Sequence, residues 1–220
     1  MCDKHNIDVG FSQERFPAGT HMCLIYSNED ERRDVIAKYL KAGLDNNEKV
    51  GYFADMMSTP EIARWLAGYG IEIPPDPESN LKTSKESTQN NNANFVCTNA
   101  LDTYCPSGKF VPETMLNNLR TAYEQAREQQ FPGIRVSGEM SWALKGVPGA
   151  ERIMEYEALV NDVLATHPVT AICQYDANRF DGGTILDVLK VHPMMIVHGQ
   201  IVKNPYYMKS QDFLADYHQR

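Results

Sequence analysis

Short apolar runs alternate with longer amphipathic segments along almost the whole chain, and this alternation constrains the fold more than any other feature. THMCLIY (20–26), KVGYFA (49–54), FVCTNA (95–100), GIRVSGEM (133–140) and VTAICQYD (169–176) read as strands, and MMIVHGQIV (194–202) as a last strand or hairpin. Between them, EDERRDVIAKYLKAGLDNN (29–47), STPEIARWLAGYG (58–70), VPETMLNNLRTAYEQAREQQ (111–130), GAERIMEYEALVNDVLATH (149–167) and GGTILDVLKVH (182–192) read as helices, and SQDFLADYHQ (210–219) adds a terminal one. Strands separated by helices make βαβ units. Right-handed crossovers then give an α/β fold, a three-layer αβα sandwich with a mostly parallel central sheet. THMCLIY and VTAICQYD are apolar nearly throughout, as central parallel strands buried on both faces must be.

One stretch breaks the pattern. PPDPESNLKTSKESTQNNNAN (74–94) holds three prolines, many small polar residues and one leucine, too little apolar surface to build a core. It reads as a flexible polar insertion over 75–94. The expected layout is a tail at 1–14, one domain at 15–207 and a C-terminal helix at 208–220. The net charge of −8 and pI of about 5.2 set the surface against nucleic acid and anionic membranes as partners. No run of 18 apolar residues exists, and MCDKHNIDVGFSQERF has no apolar signal core, so a cytoplasmic location is expected. The five cysteines are odd in number and widely spaced, which fits reduced thiols better than a disulfide framework.

In parallel α/β sheets, ligands bind beyond the carboxyl ends of the strands. Tyr26, Ser27, Asp55, Glu139, Tyr175 and Asp176 fall there. Glu139 stands out, because GEMSWAL surrounds a carboxylate with apolar residues, so it should be paired or titrate high. It is expected to face a pocket shared with Tyr26, Trp142 and Tyr175. Aspartates and glutamates at strand ends also fit ordinary loop and N-cap roles. Nucleotide chemistry is a poor fit. The Gly-x-x-x-x-Gly-Lys-Ser/Thr phosphate loop is absent, and Glu29-Asp30-Glu31 puts negative charge where phosphate would sit. His21 and Cys23, two apart, share one strand face, but two ligands alone do not make a zinc site. Neither a metal nor a cofactor is expected.

The stretch from Gly19 to Asp55, with His21, Cys23 and Tyr26 as its His-x-Cys-x-x-Tyr signature, resembles the opening of the MEDS domain, the methanogen/methylotroph DcmR-type sensory domain. GLDNNEKVGYF, GIRVSGEMSWAL, YEALVN, CQYD with Phe180, HP at 192–193 and NPYY at 204–207 follow in the family's order. The resemblance implies a RecA/KaiC-like frame that has lost its phosphate loop. It also implies a sensor of small hydrocarbon derivatives or related metabolites, signalling to a regulator or kinase. The expected function is a stand-alone, non-enzymatic sensory domain with a small-molecule ligand and a signalling partner protein. His21, Cys23, Tyr26, Glu139, Trp142, Tyr175 and Asp176 are the ligand-binding candidates. Two alternatives remain: an interaction adaptor with a vestigial pocket, and an enzyme using Glu139 and Asp176 as acid and base.

Overall fold

The computed structural model describes residues 5–73 and 94–219. Apart from Asn94, the polar insertion expected at 75–94 lies outside them. Strand β1 (Asn6–Asp8) pairs antiparallel with β2 (Arg15–Pro17). The main sheet contains β3 (His21–Tyr26), β4 (Lys49–Ala54), β5 (Phe95–Asn99), β6 (Ile134–Glu139), β7 (Val169–Asp176), β8 (Met194–Val197) and β9 (Gln200–Lys203). Their order across the sheet is β5-β4-β6-β7-β3-β8-β9. The first six run parallel, and β9 returns antiparallel. His198 and Gly199, both with positive φ, make the tight turn of that closing hairpin.

The helices are α1 (Glu29–Asp45), α2 (Thr59–Ala67), α3 (Ala100–Tyr104), α4 (Pro112–Glu128), α5 (Ile153–Thr166), α6 (Gly182–Val191) and α7 (Ser210–Tyr217). Their starts follow from local chemistry. The Asn28 side chain accepts from the backbone N–H of Asp30 and Glu31, and the acidic first turn of α1 suits the positive end of the helix dipole. Ser58 and Glu61 form a capping box on α2, with Pro60 in its first turn. Asp181 caps α6.

Two apolar cores lie on opposite faces of the sheet. One joins the sheet to α1 and α2 through Met22, Leu24, Ile36, Leu40, Ile62 and Leu66. The other joins it to α4, α5, α6 and α7 through Leu116, Val160, Leu164, Val188 and Phe213. This is the expected αβα sandwich, and seven of the eight residues of β7 are buried. The expected tail at 1–14 needs correction where it is described. Ile7 and Val9 are buried in the first core, and buried Arg135 donates to the Asp8 carbonyl at 3.0 Å. A three-residue strand is too short to announce itself by alternation.

Candidate functional site

Strands β3 and β7 lie side by side with Cys23 opposite Cys173 and Tyr26 opposite Asp176. Alternate residues face one way, so His21 and Cys23 of β3 share a face with Cys173 and Tyr175 of β7. Helix α5 covers that face and brings down Glu157 and, one turn later, Asn161. His192, just past α6, completes the group. One ligand-type atom from each of His21, Glu157, Cys173 and His192 lies within 4.8 Å of every other, and all four residues are buried.

The orientation of each ring is fixed from behind. Asn161 Nδ2 donates to the carbonyls of Ala158 (3.1 Å) and Val191 (2.8 Å), which turns its Oδ1 toward His21 Nδ1 at 3.1 Å. His21 Nδ1 is therefore assigned as the donor. His192 Nδ1 donates to the Val188 carbonyl at 2.8 Å. Both Nε2 atoms consequently face Glu157 Oε2, from 3.2 Å for His21 and 3.5 Å for His192. Cys173 Sγ lies 3.5 Å from both His21 Nε2 and Glu157 Oε2, and the Tyr175 hydroxyl donates to Glu157 Oε1 at 2.7 Å. Burial, with His192 alongside, pushes His21 below the usual histidine range. Burial also raises the Cys173 thiol, and the Glu157 carboxylate adds to the rise.

A second polar network occupies the other face, at the carboxyl ends of β4, β6 and β7. Glu139 is buried, and its oxygens are occupied. Oε1 accepts from Arg32 Nη1 at 3.0 Å and from the Tyr52 hydroxyl, while Oε2 accepts from the backbone N–H of Asp55 and Met56 at 2.7 Å each. Arg32 Nη1 also donates to Gln174 Oε1 at 2.9 Å, and its Nε reaches Glu29. The guanidinium sits 5.4 Å from the Tyr26 ring centre. Lys145 closes over Asp55 with a 2.6 Å ion pair. The carboxyl ends of β4 and β6 are thus covered by the chain's own charges.

The candidate residues do not share one pocket. Tyr26 and Glu139 stand on the α1 face, whereas His21, Cys23, Trp142 and Tyr175 stand on the α5 face. The reason is the two-residue period of a strand, which sends Gln174 to Arg32 and Tyr175 to Glu157. Trp142 stacks on Tyr104 at 5.0 Å within the aromatic core. Asp176 holds the turn after β7, with Oδ1 accepting from Asn178 N at 2.9 Å. The Cys23 thiol lies 3.8 Å from the Met194 carbonyl, beside the four-residue cluster and outside it. Sequence reasoning missed Arg32, Glu157, Cys173 and His192. A signal existed for two of them. Arg32 continues the buried stripe Val35, Ile36, Tyr39, Leu40 of α1, and Glu157 continues the stripe Ile153, Met154, Val160, Leu164 of α5.

An apolar cavity of about 320 Å³ opens at the amino end of β3. Phe16, Thr20, Leu164, Met194 and Tyr207 line it, and His21 and Asn161 form its polar floor. A smaller cavity of about 260 Å³ lies at the carboxyl end of β3, between Tyr26, Glu31 and His198.

Comparison with known proteins agrees with this architecture. Two solved structures with TM-scores of 0.56 share the fold. They are the KaiC-like protein PH0186 from Pyrococcus horikoshii OT3, at 17% identity with 88% of this chain and 80% of that chain covered, and the flagellar accessory protein FlaH from Methanocaldococcus jannaschii, at 13% with 89% and 83% covered. The transcriptional repressor DcmR of Methylorubrum extorquens is 25% identical over 173 residues, which are 78% of this chain and 57% of that protein. The chain therefore spans little more than half the length of this curated relative. Residues 20–193 match the methanogen/methylotroph DcmR sensory domain, MEDS, and the chain belongs to that family.

Proposed function

We propose that this chain is a sensory domain without turnover, which binds a small, mostly apolar metabolite and reports its presence to a regulatory partner protein. The observation that carries this reading is the apolar cavity at the amino end of β3, with signature residue His21 and its partner Asn161 in the floor. Apolar walls with a few fixed polar atoms are the usual makeup of a small-molecule site. His21 joins that cavity to the buried cluster, so an occupant touching its ring or Asn161 acts on the packing of β3, α5 and α6 together. The 25% identity to a transcriptional repressor supports transcription as the output. Against an enzyme stands the state of Glu139, whose oxygens already accept from Arg32, Tyr52 and two backbone N–H groups.

The test is ligand-observed NMR with short alcohols, amines and haloalkanes on the wild type and on Ala165→Trp. Ala165 is an exposed residue of α5 at the cavity wall, so a tryptophan there blocks the opening without entering the core. Saturable binding to the wild type and its loss in a folded Ala165→Trp protein are expected. Equal binding to both proteins places the ligand elsewhere.

A further inference from the structure

We propose that His21, Glu157, Cys173 and His192 bind one divalent transition-metal ion of the zinc type. Two imidazoles, a thiolate and a carboxylate are ordinary zinc ligands. Zinc–ligand bonds of about 2.0–2.3 Å set tetrahedral ligand–ligand edges of roughly 3.3–3.8 Å. Glu157 Oε2 lies 3.2 Å from His21 Nε2 and 3.5 Å from both His192 Nε2 and Cys173 Sγ, Cys173 Sγ lies 3.5 Å from His21 Nε2, and one ligand atom from each of the four residues lies within 4.8 Å of every other.

Three further observations point the same way. Each histidine is held from behind through Nδ1, by Asn161 Oδ1 or the Val188 carbonyl, the outer arrangement that presents an Nε2 lone pair to a metal. His192 Nε2 is buried and has no hydrogen-bond partner among the described residues, although it is aimed at Glu157. Finally, the hydrogens do not suffice. With both imidazoles neutral, both Nε2 atoms and Glu157 Oε2 converge as acceptors, and the Cys173 S–H is the single hydrogen shared among them, since Tyr175 O–H is committed to Glu157 Oε1. A buried set of acceptors without donors is costly, and a cation at its centre removes the cost. A thiolate and a carboxylate together carry the −2 that balances a divalent ion, and binding releases the thiol proton to solvent. All four side chains are ligands from the protein, which describes a closed site tying β3, β7, α5 and the end of α6 together. Of the four, His21 also lines the cavity at the amino end of β3.

The full chain should be expressed in medium supplemented with Co²⁺, which reports tetrahedral thiolate coordination in its absorption spectrum, and its metal content measured. About one equivalent per chain is expected, with ligand-field bands of a tetrahedral site and a thiolate charge-transfer band. Cys173→Ser should abolish the charge-transfer band, and Cys23→Ser, one strand away and outside the cluster, should keep it. His192→Ala removes a direct ligand and should lower metal affinity by roughly a hundredfold or more, at least the upper end of the loss typical of outer-shell partners. Circular dichroism checks that each variant is folded, and X-ray absorption of the wild type reads the donor set without any variant. A folded wild type that carries no transition metal, with histidine and glutamate sharing a proton instead, overturns the proposal. So does a charge-transfer band that survives Cys173→Ser. Neither result depends on whether the cavity binds a metabolite.

Discussion

Arg32 and Glu139, 107 residues apart in the chain, form a 3.0 Å ion pair with almost no access to solvent. The pair sits at the carboxyl ends of the strands, where parallel α/β sheets commonly bind ligands. The sequence has Glu139 either paired or titrating high, and facing a pocket shared with Tyr26, Trp142 and Tyr175. It is paired, and Arg32, Tyr52 and the backbone after β4 are its partners.

Breaking a buried pair strands a charge. Glu139→Gln should therefore lower stability by about 3–5 kcal/mol, read by urea denaturation, while leaving metabolite binding unchanged. Arg32→Met should cost a similar amount. The double variant should cost clearly less than the sum, because neither charge is then left alone. Additive losses would show that the two side chains are not coupled.

How much of this was readable beforehand depends on the range of the interaction. The strands, the helices and the parallel sheet follow from local periodicity, and the capping signal at Ser58–Pro60 marks one helix start. The site was less legible. EDERRD is a charged run, and Tyr52, Glu139 and Gln174, on three different strands, turn Arg32 inward. Cys173 reads as a small hydrophobe until α5 lowers Glu157 onto it. The expected single rim pocket failed because the sheet is a wall: Glu139 and Trp142 are three residues apart yet lie on opposite sides of it.

The second prediction concerns thiol reactivity. Burial, with some help from the Glu139 charge, pushes the half-buried Cys97 thiol up to about 12. A raised thiol gains thiolate only as pH climbs toward that value, so at pH 8 roughly one molecule in ten thousand is reactive. Cys97 should resist iodoacetamide in the native protein at pH 8, react about tenfold faster at pH 9 and react readily in urea. Peptide mapping after timed pulses gives the rates, and a native rate matching the unfolded one would refute the burial argument.

The third concerns nucleotide. The Asn28 side chain occupies the free N–H groups of Asp30 and Glu31, and Glu29, Asp30 and Glu31 add negative charge at the same helix end. No heat of binding is expected when ATP and magnesium are titrated to millimolar concentration. Micromolar affinity would mean that the strand-end crevice opens after all.

The most direct test of the account is to locate the metabolite by methionine-methyl NMR, since methionines stand at both candidate places. Met194 lines the cavity beside His21, Met195 lines the smaller one beside Tyr26, and exposed Met56 lies by the Glu139 network. With a compound that binds saturably, the Met194 methyl should shift and follow the binding isotherm while Met56 and Met195 stay in place. Shifts at Met56 and Met195 with Met194 unmoved would contradict the account and return the site to the carboxyl ends of the strands.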